Sequence, residues 1–525
     1  QNITPSIKTI RFALGAAAVV VFLALALLAT CGGDSLDTNA DLLPTPASTL
    51  TEATITPSAE PTPHQVNTPG PSAHEGDEGL VLGQETGESV YQGASCQADA
   101  PVRNFDVAAI NIEISLNRFL DFDPIGRMYV LEQDLQRARG EEAQNRTARQ
   151  DQAEPAVSVG LQGDAIQPLT LRVNQGDCLR LTLRNGLEDG QAASLHLHGS
   201  SQHMADSGAP AVAANTEAVA LPGASVTYEW MVEDDQQEGT HYFHSHGDTR
   251  EQTSHGLFGA VIVEPKDSLH LDPLTGGELR SGWSAVIRDS TGSDFREFAI
   301  YYHEIGNEAF TIQNKDASRG FGLRGRAVPF VDGLTGAYKP GGRAMNYRSE
   351  PFLNRMELQK DTVGSFDPSQ AYISYTFGDP ATPIARSYLG DPVKQRVIHG
   401  GSEVFHVHHV HGGAIRWRRQ PGVEPTNFDP GLNKFPPLLP EATARIDSQA
   451  VGPAENYDVE NECGSGGCQQ SVGDFLAHCH VAHHYVAGMW MIWRVQNTLQ
   501  DGIVSQDGLP PLIECRTETV WLRPL

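Results

Sequence analysis

The sequence predicts an all-β protein built around two copies of one β-sandwich. Three observations predict it. Apolar residues alternate with polar ones at period two, as in Ile110, Ile112, Ile114 and Leu116, in Leu179, Leu181 and Leu183, and in Val226, Tyr228, Trp230 and Val232. Such alternation marks strands with one buried face. Glycine- and proline-rich turns separate these short runs, the spacing expected of sandwiches. An internal repeat runs through the chain as well. Gly176-Asp177 opens a strand that leads to His196-Leu197-His198-Gly199, and Gly390-Asp391 opens another that leads to His409-Val410-His411-Gly412. Later in each half come Phe243-His244-Ser245-His246 and Ala477-His478-Cys479-His480, both followed by a glycine and an apolar strand. Two copies of one sandwich explain this pattern, with Ser245 in the first copy at the place of Cys479 in the second.

The elements follow in order along the chain. Lys8 and Arg11 precede an apolar run from Phe12 to Thr30, so residues 1–31 read as a secretion signal or membrane anchor. The run ends in Leu28-Ala29-Thr30-Cys31-Gly32-Gly33, which resembles a bacterial lipoprotein processing site, with Thr30 where a smaller residue is usual. Either reading exports the rest, which gives an extracytoplasmic protein that meets the membrane only through its N-terminal anchor. Residues 32–94, rich in Pro, Thr, Ser and Gly, read as a disordered, solvated linker. The first sandwich is expected at 95–265, with the polar stretch from Leu135 to Pro155 as a surface insertion. A connector is expected at 266–295 and the second sandwich at 296–500, with an insertion near 314–365. Residues 501–525 form a C-terminal tail.

The chain has 525 residues and a net charge of −28, which argues against nucleic-acid binding, since that needs a basic surface. Acidic surface keeps a protein soluble and also attracts cations. There are seven cysteines. An exported chain can hold disulfides, and Cys96 with Cys178 and Cys463 with Cys468 are pairs that the spacing allows among others. Cys479 stands apart, between two histidines.

Four histidine clusters carry the chemistry. They are His196-X-His198, His244-X-His246, His406-X-His408-His409-X-His411, and His478-Cys479-His480 followed by His484 and Met489. On a strand, residues i and i+2 point to one face, so a His-X-His pair can aim two imidazoles at one metal cluster. Two histidines, a cysteine and a weak axial methionine make a blue-copper electron-transfer site. Cys479, His484 and Met489 supply three of these on one loop, and His406 completes the set. His478 and His480 flank the thiolate and point to the opposite face. Solitary histidines are read as ordinary surface or core residues, namely His64, His74, His203, His241, His255, His270, His303 and His399.

In order and spacing, over about 300 residues, these motifs resemble those of the multicopper oxidase family. The segment from Phe243 to Gly259 and the strand Arg296-Glu297-Phe298-Ala299-Ile300 are similar to its ceruloplasmin branch. The resemblance implies tandem cupredoxin-like Greek-key β-sandwiches and four coppers per chain: one type 1, one type 2 and two type 3. By the same resemblance His406, Cys479, His484 and Met489 would bind type 1 copper. His196 and His409 would bind type 2 copper, and His198, His244, His246, His411, His478 and His480 the type 3 pair. Cys479 would pass on single electrons from a small reducing substrate, either a metal ion such as Mn(II) or Fe(II) or a phenol, and the trinuclear cluster would reduce O2 to water. Asp206 stands where the family often has a proton-relay aspartate. In three-domain relatives the cluster forms within one chain, whereas in two-domain relatives it forms between neighbours of a homotrimer.

There are departures from the family pattern. Val407 replaces a usual proline, and His408 is an additional histidine, expected behind the ligands or exposed. His483 directly precedes His484, but the spacing Cys479 to His484 to Met489 favours His484 as the ligand. The loop from Val481 to Tyr485 lacks the acidic residue common there. Two other functions stand beside the oxidase. A blue-copper electron carrier without turnover would need only four ligands and leave eight unexplained. A copper nitrite reductase-like enzyme would lack the counterparts of His480 and His246.

Overall fold

The computed structural model describes residues 96–497, apart from 120, 152–156, 208, 213–214, 234–237, 249–250, 291–293, 307–340, 357–369, 414 and 419–443. The expected leader, linker and tail, and most of the insertion near 314–365, lie outside the described residues.

The fold is all-β, in two lobes. The first lobe contains β1 (Val102–Asn111), β2 (Arg127–Leu131), β3 (Leu169–Asn174), β4 (Cys178–Gly186), β5 (His196–Leu197), β6 (His203–Met204), β7 (Ser225–Met231), β8 (Gly239–His244) and β9 (Phe258–Glu264). They form one sheet in the order β2-β1-β4-β7-β6 and a facing one in the order β3-β9-β8-β5. Between the sheets lie Val107, Leu181, Leu183, Tyr228, Trp230, Phe243 and Val261, supplied by the period-two faces.

The second lobe begins earlier than the sequence suggests. The stretch 266–295, read as a connector, contributes two strands, β10 (Leu269–Leu271) and β11 (Ser284–Arg288). Then follow β12 (Asp294–Glu304), β13 (Arg343–Met345), β14 (Ile384–Tyr388), β15 (Val393–His399), β16 (His406–Val410), β17 (Ile415–Arg418), β18 (Ala444–Ile446), β19 (Ser448–Val451), β20 (Asn456–Asn461), β21 (Gly473–Cys479) and β22 (Trp490–Gln496). One sheet runs β10-β11-β12-β15-β20-β17-β18 with β13 on β12, and the other runs β14-β22-β21-β16-β19.

The duplication is explicit in the pairing. β1 lies parallel to β4 as β12 does to β15, and β3 parallel to β9 as β14 does to β22. The two Gly-Asp turns play one role in both lobes. Asp177 accepts from Arg103 and from the Asn174 N–H, while Asp391 accepts from Arg296 and from the Tyr388 N–H. Each aspartate thus ties the turn to the lobe's first long strand. Both disulfides allowed by spacing form, Cys96–Cys178 and Cys463–Cys468.

The polar stretch expected as a surface insertion is mostly a helix, α1 (Leu135–Asp151). Ala138, Glu142, Asn145 and Ala148 line its buried side, and Arg146 pairs with Glu142 one turn away. Spacing of three and four between such residues is helical, and Arg–Glu pairs at that spacing add support.

Candidate metal centres

The strand pairing of the second lobe assembles two groups of candidate ligands on opposite faces. β16 and β21 run antiparallel, with His408 opposite Cys479 and His409 opposite His478. The alternation of a strand sends His406 and His408 inward and His409 the other way.

On the inner face, His406, Cys479 and His484 converge, all buried, with their ligand atoms within 4.8 Å of one another. His406 Nδ1 lies 3.2 Å from His484 Nδ1. Cys479 Sγ is 3.4 Å from His484 Nδ1 and 3.9 Å from His406 Nδ1. His484 sits on a short helix, α2 (Ala482–Val486), whose next turn returns the chain to the site. Met489 is buried, and its carbonyl accepts the Cys479 N–H at 3.2 Å. The segment after β13 clamps this loop from behind: Ser349 Oγ, which donates to Arg343 O at 2.7 Å, also lies 3.3 Å from Ala487 O, and Glu350 N–H donates to Gly488 O. No sequence signal marked that clamp.

Burial lowers the His484 imidazole to about 2, helped by Arg343 and His406, and the His406 imidazole to about 4. Both are neutral, with lone pairs free, at neutral pH. Burial pushes the Cys479 thiol up to about 11, against backbone N–H groups of Val407 and Val481. Two imidazoles and a buried sulfur fit a soft or borderline transition metal, copper above all.

On the outer face, His409, His411, His478 and His480 form a quartet with ring centroids 5.0–5.5 Å apart. His411 and His480 are exposed. An open cavity of about 610 Å³ is lined by His409, His411, Gly412 and Asp447. His409 Nδ1 donates to the Asp447 carbonyl at 2.9 Å and His478 Nδ1 to the Cys479 carbonyl at 2.9 Å. Since carbonyls only accept, both Nε2 atoms keep a lone pair.

The first lobe holds the matching quartet, His196, His198, His244 and His246, with centroids 4.7–5.8 Å apart. His244 pairs with His196 across β8 and β5, and His244 Nε2 is 3.1 Å from His198 Nε2. His244 Nδ1 donates to the Ser245 carbonyl, repeating His478 in the other lobe. Burial lowers His198 to about 4 and His244 to about 3, with neighbouring imidazoles adding to the effect. Ser245 is buried and its Oγ accepts from the Ser194 and Gly247 N–H groups, a hydroxyl plug where the second lobe has its cysteine. Among the described residues, no hydrogen bond or ring contact joins one quartet to the other.

Asp206 is exposed in the turn after β6, and none of the described hydrogen bonds joins it to a quartet histidine. His408 is fully buried, and its Nδ1 meets the Tyr302 hydroxyl at 2.7 Å. His399, read as an ordinary histidine, is buried against His406, with ring centroids 4.8 Å apart. Glu304, which no motif singled out, reaches the same imidazole. His64 and His74 lie outside the described residues.

Part of the chain is similar to known proteins. Residues 142–268, which carry the first quartet, match the family model described as multicopper oxidase. An iron transport multicopper oxidase of Kluyveromyces lactis is 37% identical over 105 residues, covering 19% of this chain and 15% of that protein. Copper resistance protein A of Pseudomonas syringae pv. tomato is 36% identical over 222 residues, covering 39% of this chain and 34% of that protein. The chain thus spans about a third or less of these relatives' own lengths. A crystal structure of a multicopper oxidase aligns with 77% of this chain and 92% of its own, at 15% identity and a TM-score of 0.41.

Proposed function

We propose that this chain, whose residues 142–268 match the multicopper oxidase family model, is a multicopper oxidase that couples one-electron oxidation of a small reductant to four-electron reduction of O2 to water. Bound copper would supply the redox chemistry, as one type 1, one type 2 and two type 3 ions. His406, Cys479, His484 and Met489 would hold the type 1 ion. His196 and His409 would hold the type 2 ion, and the six other quartet histidines the type 3 pair.

The observation that carries this reading is the placement of Cys479. Its sulfur belongs to the inner group, while its covalent neighbours, His478 and His480, belong to the outer quartet. One residue therefore links the electron-accepting site to the oxygen site through a few bonds. The buried surroundings of the inner group exclude water from the thiolate, and the open outer quartet admits O2. Each quartet offers half of the ligands a trinuclear cluster needs. The exposure of His411 and His480 supports a homotrimer in which one chain's first quartet meets the second quartet of its neighbour. Asp206 is the proposed proton source, being acidic, solvent-linked and close in sequence to the first quartet.

For the reductant we favour a metal cation, Fe(II) or Mn(II), because a net charge of −28 draws cations to the surface. The two disulfides and the apolar N-terminal run support an extracytoplasmic location.

The test is oxygen uptake by the copper-loaded protein with Fe(II), Mn(II) and a simple phenol. Uptake with at least one donor is expected, abolished in His480→Ala while the blue colour of the inner site remains. Asp206→Asn should slow uptake by roughly a hundredfold. Light scattering on the same sample should give three chains. Full copper loading without uptake from any donor would leave an electron carrier.

A further inference from the structure

His406 is held by more than its metal-facing nitrogen. Glu304, the last residue of β12, is fully buried, and its Oε2 lies 3.4 Å from His406 Nε2. The other carboxylate oxygen accepts the Ser402 N–H at 2.7 Å and the Glu403 N–H. Gly401 makes room for it, since a methyl group there would fall on the carboxylate. The acid is thus seated by the loop just ahead of β16, although 102 residues separate it from His406. His399 closes the far face of the imidazole, its ring tilted 23° from that of His406. On the opposite edge, His406 Nδ1 faces His484 and Cys479.

A neutral imidazole carries its hydrogen on one nitrogen only. A carboxylate at Nε2 draws that hydrogen to Nε2 and leaves the lone pair on Nδ1, where the other two ligand atoms wait. A buried negative charge this close to the ligand also favours the more highly charged state of a bound ion. We propose that Glu304 is a positioning residue of the inner metal site: it fixes the Nδ1-donor tautomer of His406 and holds down the reduction potential of the copper bound there. This rests on the type 1 copper reading above.

Glu304→Gln is the direct test. Its amide oxygen stays on the two backbone donors, so its NH2 group turns to Nε2, which must then accept. The hydrogen moves to Nδ1, against the metal. Copper affinity of the inner site should fall 10- to 100-fold, and the blue copper that does bind should be easier to reduce by at least tenfold in equilibrium constant, about 59 mV for one electron. Parent-like affinity and potential in a folded, blue Glu304→Gln variant would overturn the proposal. Nitrogen-15 NMR of the unaltered metal-free protein tests it without any variant. His406 should carry its hydrogen on Nε2, and a hydrogen on Nδ1 would sink the idea. A copper-loaded parent with no blue band would instead overturn the type 1 reading, and the proposal with it.

Discussion

At Cys479, burial holds the thiol protonated at neutral pH, with its titration pushed up to about 11. A metal must therefore displace that proton, whereas His406 and His484 are already neutral above about 4 and about 2. The sign follows: rising pH removes the proton that competes with the metal. Affinity at the inner site should climb about tenfold per pH unit above neutrality, with one proton released per ion bound. Competition with a chelator across pH measures it, and an affinity flat with pH would mean that the thiolate is not a ligand. The twelve candidate ligands were all legible in the sequence, because a His-X-His or His-Cys-His run announces itself at short range. Glu304 and Asp447 were not, because what they do depends on neighbours far away in the chain, and His399 was not, because only the fold lays its ring against that of His406.

Among the elements, the loop from α2 to β22 depends on the clamp beneath it. Gly488 has a φ of +127°, and a Cβ there would strike Ser349 Oγ and crowd the Glu350 N–H. Gly488→Ala should cost about 1–3 kcal/mol and, on the proposed type 1 copper reading, bleach the blue band as Met489 shifts. Gly140→Ala makes the contrasting variant. It lies in α1 with no atom within 4 Å of where an alanine methyl would stand, and should stabilise the fold by about 0.5–1 kcal/mol. Chemical denaturation followed alongside the visible spectrum separates the two. Period-two strands were legible because one face of each is buried. The helix α1 was missed because its buried side is mostly small or polar, including Ala138, Glu142 and Asn145, so no apolar stripe marks it.

Over the whole molecule, a buried ionic cluster sits between the lobes. Arg396 on β15 pairs with Glu297 on β12 at 2.9 Å, with Asp458 on β20 at 3.0 Å and with Glu264 from the first lobe. Arg172 of β3 reaches Glu297 from the first lobe as well. Burial raises the Glu297 carboxyl, but Arg172 and Arg396 outweigh it and hold it far below the usual range. Arg396→Met would take the guanidinium away from Glu264 and Asp458 while Glu297 keeps Arg172, at about 3–5 kcal/mol. Denaturant unfolding should show that loss, and an unchanged midpoint would mean that the cluster does not hold the lobes together.

The sequence by itself determined the two-sandwich plan, the allowed disulfide pairs and the identity of the clustered histidines. Those follow from local alternation, from the repeat and from residue chemistry at short spacing. Only the tertiary structure decided which nitrogen His244, His409 and His478 leave free, which acid lies behind His406, and that the connector belongs to the second lobe's sheet. These depend on backbone and side-chain groups brought together from distant strands, and the geometry of a hydrogen bond is written in no single segment.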